Sequence, residues 1–162
     1  MTDEVDRIID AWRRERPDLD VAPLAVLSRI SRLARHLDLA RGRAFSGHGL
    51  EQWEFDVLSA LRRTGEPYEL SPGVLVTQTL VTSGTMTNRI DRLEARGLVV
   101  RRPAPADRRG VLVRLTEPGR AAVDAALADL LDVERALLAA LPEPDRARLA
   151  DLLRVLVAPF DA

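Results

Sequence analysis

The stretch VTSGTMTNRIDRLEARGLVVRRPAPADRRGVLVRL, residues 81–115, decides the fold. Its first half predicts a helix that is capped by Ser83 and stops at Gly97, a typical helix terminator. Its second half holds two short apolar runs, residues 98–102 and 111–115, which flank a turn rich in Pro, Asp and Arg. The stretch therefore predicts a helix followed by a β-hairpin.

The flanking sequence predicts further helices on both sides of this stretch. Apolar residues at helical spacing indicate one helix that ends near Arg16, a second that ends near Arg43, and a third over 51–63. Ser71 followed by Pro72 predicts a short helix through Leu75, Val76 and Leu80, directly before the helix of the quoted stretch. After the hairpin, Thr116-Glu117-Pro118-Gly119 opens a long helix, and a last helix carries Leu149, Leu152, Leu153, Leu156 and Val157.

This order of elements predicts a mainly α protein with a small β-wing, a winged helix–turn–helix. We expect three parts: residues 1–49 as N-terminal helices with a dimerisation role and a candidate ligand site, 50–116 as the winged DNA-binding domain, and 117–162 as C-terminal dimerisation helices. The terminal helices carry more apolar surface than a small central domain can cover. A twofold homodimer is the expected consequence.

Charge is unevenly distributed along the chain. The whole chain carries a net charge of −1, and all 24 basic residues are arginine. Residues 83–114 hold eight arginines and three acidic residues, a net charge of +5, whereas 1–82 and 115–162 carry −2 and −4. Local positive charge is what phosphate binding requires, although a solvated charged surface gives the same pattern.

The helix from Ser83 has one apolar face and one small, polar face. Met86, Ile90 and Leu93 form the inward stripe of an ideal helix. The opposite side offers small and hydrogen-bonding side chains that suit a recognition helix in the major groove. The candidate DNA-binding residues on this helix are Ser83, Thr85, Thr87, Asn88 and Arg92.

The hairpin tip adds three further candidates for DNA binding, Asp107, Arg108 and Arg109. An arginine on a narrow loop can enter the minor groove, where the negative potential is strongest. Asp107 can accept a hydrogen bond from Arg109 and hold it extended. The alternative is an exposed Asp–Arg pair of little energetic value.

Other function classes find little support in the composition. The chain has no cysteine and two histidines, His36 and His48, without a partner at metal-ligand spacing, so neither a metal site nor a cofactor is expected. No catalytic triad or glycine-rich phosphate loop occurs, and no enzyme is predicted. The N-terminus lacks the form of a signal peptide, and no apolar run is long enough for a membrane span. A cytoplasmic location is expected.

Residues 81–94, 97–99 and 107–116 together resemble the MarR family of bacterial regulators. The resemblance spans nearly the whole chain and is strong between residues 50 and 120. It implies a winged-helix homodimer that binds a near-palindromic operator in double-stranded DNA, often as a repressor. The family's wing motif, an acidic residue followed by an arginine, matches Asp107 and Arg109.

Residues 12–20, WRRERPDLD, resemble the urate-responsive branch of that family, which has an extra first helix. This resemblance implies a small-molecule effector, urate or another purine, that releases the repressor. The matching ligand-binding residues are Trp12, Asp56 and Arg89, with Arg101 as a less secure match. Trp12 as a core anchor and Asp56 with Arg89 as a structural ion pair are the alternatives.

Two other functions remain compatible with the same fold. One is a winged-helix protein–protein adaptor without DNA binding, which loss of the wing arginines or of the small polar face would favour. The other is a DNA-binding regulator with no small-molecule effector.

Overall fold

Seven α-helices and three β-strands make up the described part of the chain. The computed structural model describes residues 2–104 and 107–160, and the side chains of these residues except 107–109. The helices are α1 (Glu4–Glu15), α2 (Leu24–Ser46), α3 (Gln52–Arg63), α4 (Pro72–Thr79), α5 (Ser83–Ala95), α6 (Glu117–Leu138) and α7 (Glu143–Val157). The strands are β1 (Glu69–Leu70), β2 (Val99–Ala104) and β3 (Asp107–Leu115), and a 3-10 helix, Ala158–Phe160, follows α7.

The chain forms two compact units, Met1–Arg43 and Ala44–Ala162. In the first unit, the Asp3 carboxylate accepts the Asp6 amide and caps α1. The guanidinium of Arg29 on α2 donates to Asp3 at 2.8 Å and to Asp6 at 2.7 Å. These ion pairs join the first turn of α1 to α2.

The second unit contains the winged helix–turn–helix. Its sheet is antiparallel in the order β1-β3-β2, and the β2–β3 register runs from Val99 opposite Leu115 to Pro103 opposite Val111. The predicted hairpin is confirmed, but the predicted turn over 103–110 is too long because strand pairing continues to Ala104 opposite Asp107. Pro103 is tolerated because β2 is an edge strand that pairs only with β3, so the missing N–H of proline interrupts no hydrogen bonds to another strand.

The core of the second unit lies beneath the helix–turn–helix. The Phe45 and Phe55 rings stack with centroids 4.0 Å apart. The buried stripe of α5, predicted from its spacing, faces this core. The buried residues include Leu58 and Leu61 of α3, Leu75 of α4, Met86, Ile90 and Leu93 of α5, Val99 and Val113 of the sheet, and Val123, Ala126 and Leu130 of α6. Each such side chain stabilises the fold by about 1.5–3 kcal/mol relative to exposure.

Three predicted boundaries are wrong. Thr82, not Ser83, is the N-cap of α5, because the Thr82 hydroxyl accepts the Thr85 amide at 3.3 Å. Leu80 lies outside α4 in a left-handed conformation, with φ at 53°, and is 92% exposed. The second helix continues through Gly42 to Ser46 because Gly42 is tolerated within a long helix. No helix among the described residues has the length and apolarity that a membrane span needs.

Candidate nucleic-acid interface

The turn between α4 and α5 sets the direction of the second helix. Leu80 ends α4 with positive φ, and the Val81 amide donates to the Val76 carbonyl across this turn. Thr82 then caps α5, so its first free amides point outward from the helix start. The positive end of the α5 dipole therefore lies at an exposed turn, beside Thr82 and Ser83.

The outward face of α5 is exposed and free of large apolar side chains. Gly84, Thr85, Asn88 and Arg92 are all exposed, whereas Met86, Ile90 and Leu93 on the opposite face are buried. The remaining predicted DNA-binding residues of this helix, Ser83 and Thr87, are also exposed. The Thr87 hydroxyl donates to the Ser83 carbonyl at 3.0 Å, so it is already engaged within its own helix. The outward face of α5 is therefore open to a binding partner.

Arg92 is held by residues at the start of α3 that sequence reasoning did not assign. Its guanidinium donates to the Glu51 carboxylate at 2.7 Å and lies 4.6 Å from the centre of the Trp53 ring. The Trp53 indole N–H also donates to Glu51, and this hydrogen bond, followed by that from Arg92, lowers the pKa of Glu51. The Arg92–Glu51 pair is exposed on both sides, so it contributes little to stability and leaves Arg92 accessible to another anion.

A second ion pair joins the other end of α5 to α3. Arg96 donates to the Glu54 carboxylate at 2.5 Å and to the Gly49 carbonyl at 2.8 Å. Glu54 is only 1% exposed and also accepts the Glu51 amide at 2.9 Å. The Glu51 amide and the Glu54 carboxylate thus form one half of a capping box at the start of α3, and Arg96 of α5 binds the same carboxylate.

The base of the wing is tied to α5 through Arg101. Its guanidinium donates to the Asp91 and Glu94 carboxylates, and its backbone amide donates to Glu94 at 2.9 Å. The backbone hydrogen bond, then the guanidinium, lowers the pKa of Glu94, and Asp91 is the main cause of the raised pKa of Arg101. Three hydrogen bonds thus attach Arg101 at the base of the wing to the C-terminal half of α5.

Comparison with known proteins identifies the family to which this geometry belongs. Residues 48–110 match the model of the MarR family. The transcriptional regulator PecS of Dickeya dadantii is 39% identical over 93% of this chain and 90% of its own. The chain belongs to the MarR family.

Solved structures of MarR-family proteins share the fold. A cysteine-to-serine mutant of Escherichia coli MarR, solved in complex with operator DNA, has a TM-score of 0.70 and 27% identity over 86% of this chain and 99% of its own. Bordetella bronchiseptica BpsR, whose DNA binding is regulated by 6-hydroxynicotinic acid, has a TM-score of 0.67 and 30% identity over 81% and 91% of the two chains. The predicted winged helix–turn–helix is therefore confirmed.

The residues predicted to bind an effector in this MarR-family chain have different surroundings. Arg89 is half-buried, with its guanidinium 5.5 Å from the centre of the Trp53 ring, and Asp56 is exposed on α3. Arg101 is held by two carboxylates of α5, Asp91 and Glu94. Trp12 lies on α1 of the first unit and is 48% exposed, so it is not a buried anchor within that unit.

The residues predicted at the tip of the wing, 107–109, are described in their backbone only. Asp107 begins β3, and Arg108 and Arg109 follow it in the same strand, but their side chains are outside the described residues. Among the side chains that are described, no group of three His, Asp or Glu residues is arranged to hold a metal ion.

Proposed function

We propose that the protein is a dimeric, sequence-specific DNA-binding repressor. The observation that carries this proposal is the exposed, small and polar outward face of α5, opposite a buried apolar stripe on the same helix. Asn88 and Arg92 would read base edges in the major groove, while Ser83, Thr85 and Thr87 contact the backbone. The operator complex of a similar MarR protein supports DNA binding by this fold.

The wing is proposed to reach the adjacent minor groove with Arg108 and Arg109, positioned by Asp107. The three hydrogen bonds that Arg101 makes to α5 support this arrangement, because they attach the base of the wing to the proposed recognition helix. Binding through arginine and phosphate releases counterions, so affinity must fall steeply with salt.

Dimer formation is proposed to use the apolar faces that the terminal helices leave exposed. These side chains lie at helical spacing and exceed the scattered apolar exposure of ordinary surfaces. In the second unit they are Leu127, Leu131, Leu137, Leu138, Leu149, Leu152, Leu153, Leu156 and Phe160. A twofold dimer would present two copies of α5 to successive turns of a near-palindromic operator.

The DNA-binding proposal is tested by fluorescence-polarisation titrations on genomic fragments upstream of the protein's own coding sequence. Asn88→Ala and Arg92→Gln should weaken binding to the preferred fragment more than to random DNA. Arg109→Ala should weaken binding to every sequence. It should also reduce the slope of log affinity against log salt concentration by about 1 per lost phosphate contact. Arg135→Ala, which removes a charge from the end of α6, is the control and should leave binding unchanged. A duplex preference that survives both α5 variants would refute the assignment.

Dimer formation is tested separately by sedimentation velocity. Leu152→Glu places a charge in the proposed interface and should shift the protein toward monomer and abolish operator binding. Val74→Glu changes an equally apolar, exposed residue of α4 and should leave the dimer intact. An unchanged oligomeric state in the Leu152 variant would exclude this surface.

An aromatic anion, urate or another purine, is proposed to release the repressor from DNA. Arg89 and Asp56 of the second unit are the proposed binding residues, with Arg101 as a second cation, and Trp12 of the first unit stays a prediction. Half-buried Arg89 beside the Trp53 ring supports the proposal, because that arginine belongs to the recognition helix itself. Melting curves with urate, xanthine and sodium chloride at equal ionic strength test it, because a ligand of the native state must raise the Tm. If neither urate nor xanthine raises the Tm at millimolar concentration, the effector proposal is wrong and the proposal of a DNA-binding regulator is unaffected.

A further inference from the structure

A pocket of about 460 Å³ lies at the base of the wing, where β2, β3 and the start of α6 meet. We call it the wing-base pocket. Val100 and Arg102 line it from β2, Arg114 from β3, Arg120 from α6 and Tyr68 from the segment before β1. Its volume is within the range of small-molecule sites.

The wing-base pocket is separate from the surface that would contact DNA. Side chains alternate between the two faces of a strand. Arg101 of β2 contacts the acidic residues of α5, so its neighbours Val100 and Arg102 lie on the opposite face of the sheet. Arg114 is directly opposite Val100 in the β2–β3 register and shares that face. A duplex placed along the outward face of α5 would not enter this pocket.

The three arginines of the pocket differ in their partners. Arg120 donates to Glu117 at 3.0 Å and lies over the Tyr68 ring. Within the described part of the chain, neither Arg102 nor Arg114 has a hydrogen-bonded or ion-paired side chain. Glu69 is directly opposite Arg114 in the β1–β3 register, yet these two side chains form no ion pair. Arg114 is partly exposed and Arg102 is exposed, so both guanidinium groups are open to the pocket, where an external anion would supply the charge-assisted hydrogen bonds that they lack.

The charge of the pocket limits what that anion can be. Two carboxylates, Glu66 and Glu117, also line it, so three arginines and two acidic residues leave a net charge of +1. Such a balance suits one anionic group and disfavours a polyanion. Val100, Leu115 and Pro67 provide apolar wall around the arginines.

We propose that the wing-base pocket binds a small organic monoanion, a carboxylate or phosphate on an apolar body. Arg114 and Arg102 hold the anionic group, and Val100 with Leu115 contacts the apolar body. This site is distinct from that proposed for a purine, and it requires only the fold, not DNA binding.

The experiment is a titration of the full-length protein with benzoate and, in a separate arm, with inorganic phosphate, at constant ionic strength and pH 7. Two-dimensional amide NMR spectra locate the binding site, and melting curves give its affinity. Benzoate should perturb the amides of Arg102, Arg114 and Thr116 in a saturable way. At twenty times its Kd, benzoate should raise the ratio of folded to unfolded protein about 20-fold.

Matched variants assign the site to its arginines. Arg114→Gln should weaken benzoate binding at least about tenfold, since it removes a charge-assisted hydrogen bond. Arg102→Gln, on the exposed edge strand, tests the same site should the first variant fold poorly. Arg92→Gln removes an arginine from the surface beside Trp53 and should leave benzoate binding unchanged.

Three results would overturn the proposal. One is the absence of saturable benzoate perturbation at the wing base. Another is wild-type benzoate affinity in both the Arg114 and Arg102 variants. The third is binding of phosphate with benzoate inert, because that would make the occupant an inorganic anion.

Discussion

Replacing Glu54 with alanine tests the link between α3 and α5 on which the position of the recognition helix depends. Glu54 is 1% exposed, and its carboxylate accepts the Arg96 guanidinium at 2.5 Å together with a backbone amide at the start of α3. A hydrogen bond to a charged partner contributes about 1.5–3 kcal/mol, and a helix-cap bond contributes about 1 kcal/mol. Arg96 is 43% exposed and recovers water when its partner is removed, which reduces the loss. We therefore expect Glu54→Ala to lower the free energy of unfolding by about 2–3 kcal/mol.

Thermal unfolding followed by circular dichroism measures this loss at a fixed protein concentration, because the Tm depends on concentration if the protein forms the proposed dimer. For a chain of this length about 2–4 °C is lost per kcal/mol, so the Tm should fall by about 4–12 °C. Arg96→Ala and the double variant complete a cycle that isolates the coupling between the two side chains. Glu15→Ala, an exposed glutamate on α1, is the control and should change the Tm by less than about 2 °C. A Glu54 variant that melts with the control would refute the reasoning.

Two further predictions concern the packing of α6 and the base of the wing. A Cβ at Gly119 would clash with the Leu98 carbonyl oxygen, so the Gly119→Ala variant should lose about 1–3 kcal/mol or more of its free energy of unfolding. The Gly42→Ala variant, with open space around the new Cβ, should be slightly more stable than wild type. Equal melting temperatures of the two variants would contradict this prediction. The lowered pKa of Glu94 means that its contribution is complete above the ordinary value of 4.5 and is lost as the pH falls through the lower, folded-state pKa. The Arg101→Gln variant should therefore have a lower Tm than wild type at pH 7, and this Tm difference should narrow below about pH 4.5. A Tm difference that does not change between pH 7 and pH 3 would be inconsistent with a stabilising Arg101–Glu94 ion pair.

Much of the architecture follows from local sequence. Helical spacing of Met86, Ile90 and Leu93 gave the buried face of α5 correctly, and two short apolar runs gave the β-hairpin. Such patterns work because each element must bury one face, and the period of apolar residues reflects the geometry of that element. Strand β1, of two residues, was missed because it is too short to show any period.

The interactions that position the candidate site could not be predicted in this way. Arg92 and Arg96 of α5 contact Glu51 and Glu54 of α3, which lie 41 and 42 residues earlier in the chain. Spacing along one helix carries no information about charges on another. The prediction of Arg101 as an effector ligand likewise did not anticipate its two carboxylate partners on α5.

The sequence by itself therefore determined the order of the elements, the polar outward face of the recognition helix and the basic segment that contains it, because these depend on residues close together in the chain. Only the tertiary structure decided which arginines of the described chain are engaged and which are left without a partner at the base of the wing. The physical reason is that ion pairing and burial depend on distances between elements, and folding sets those distances only when the helices and strands pack against one another.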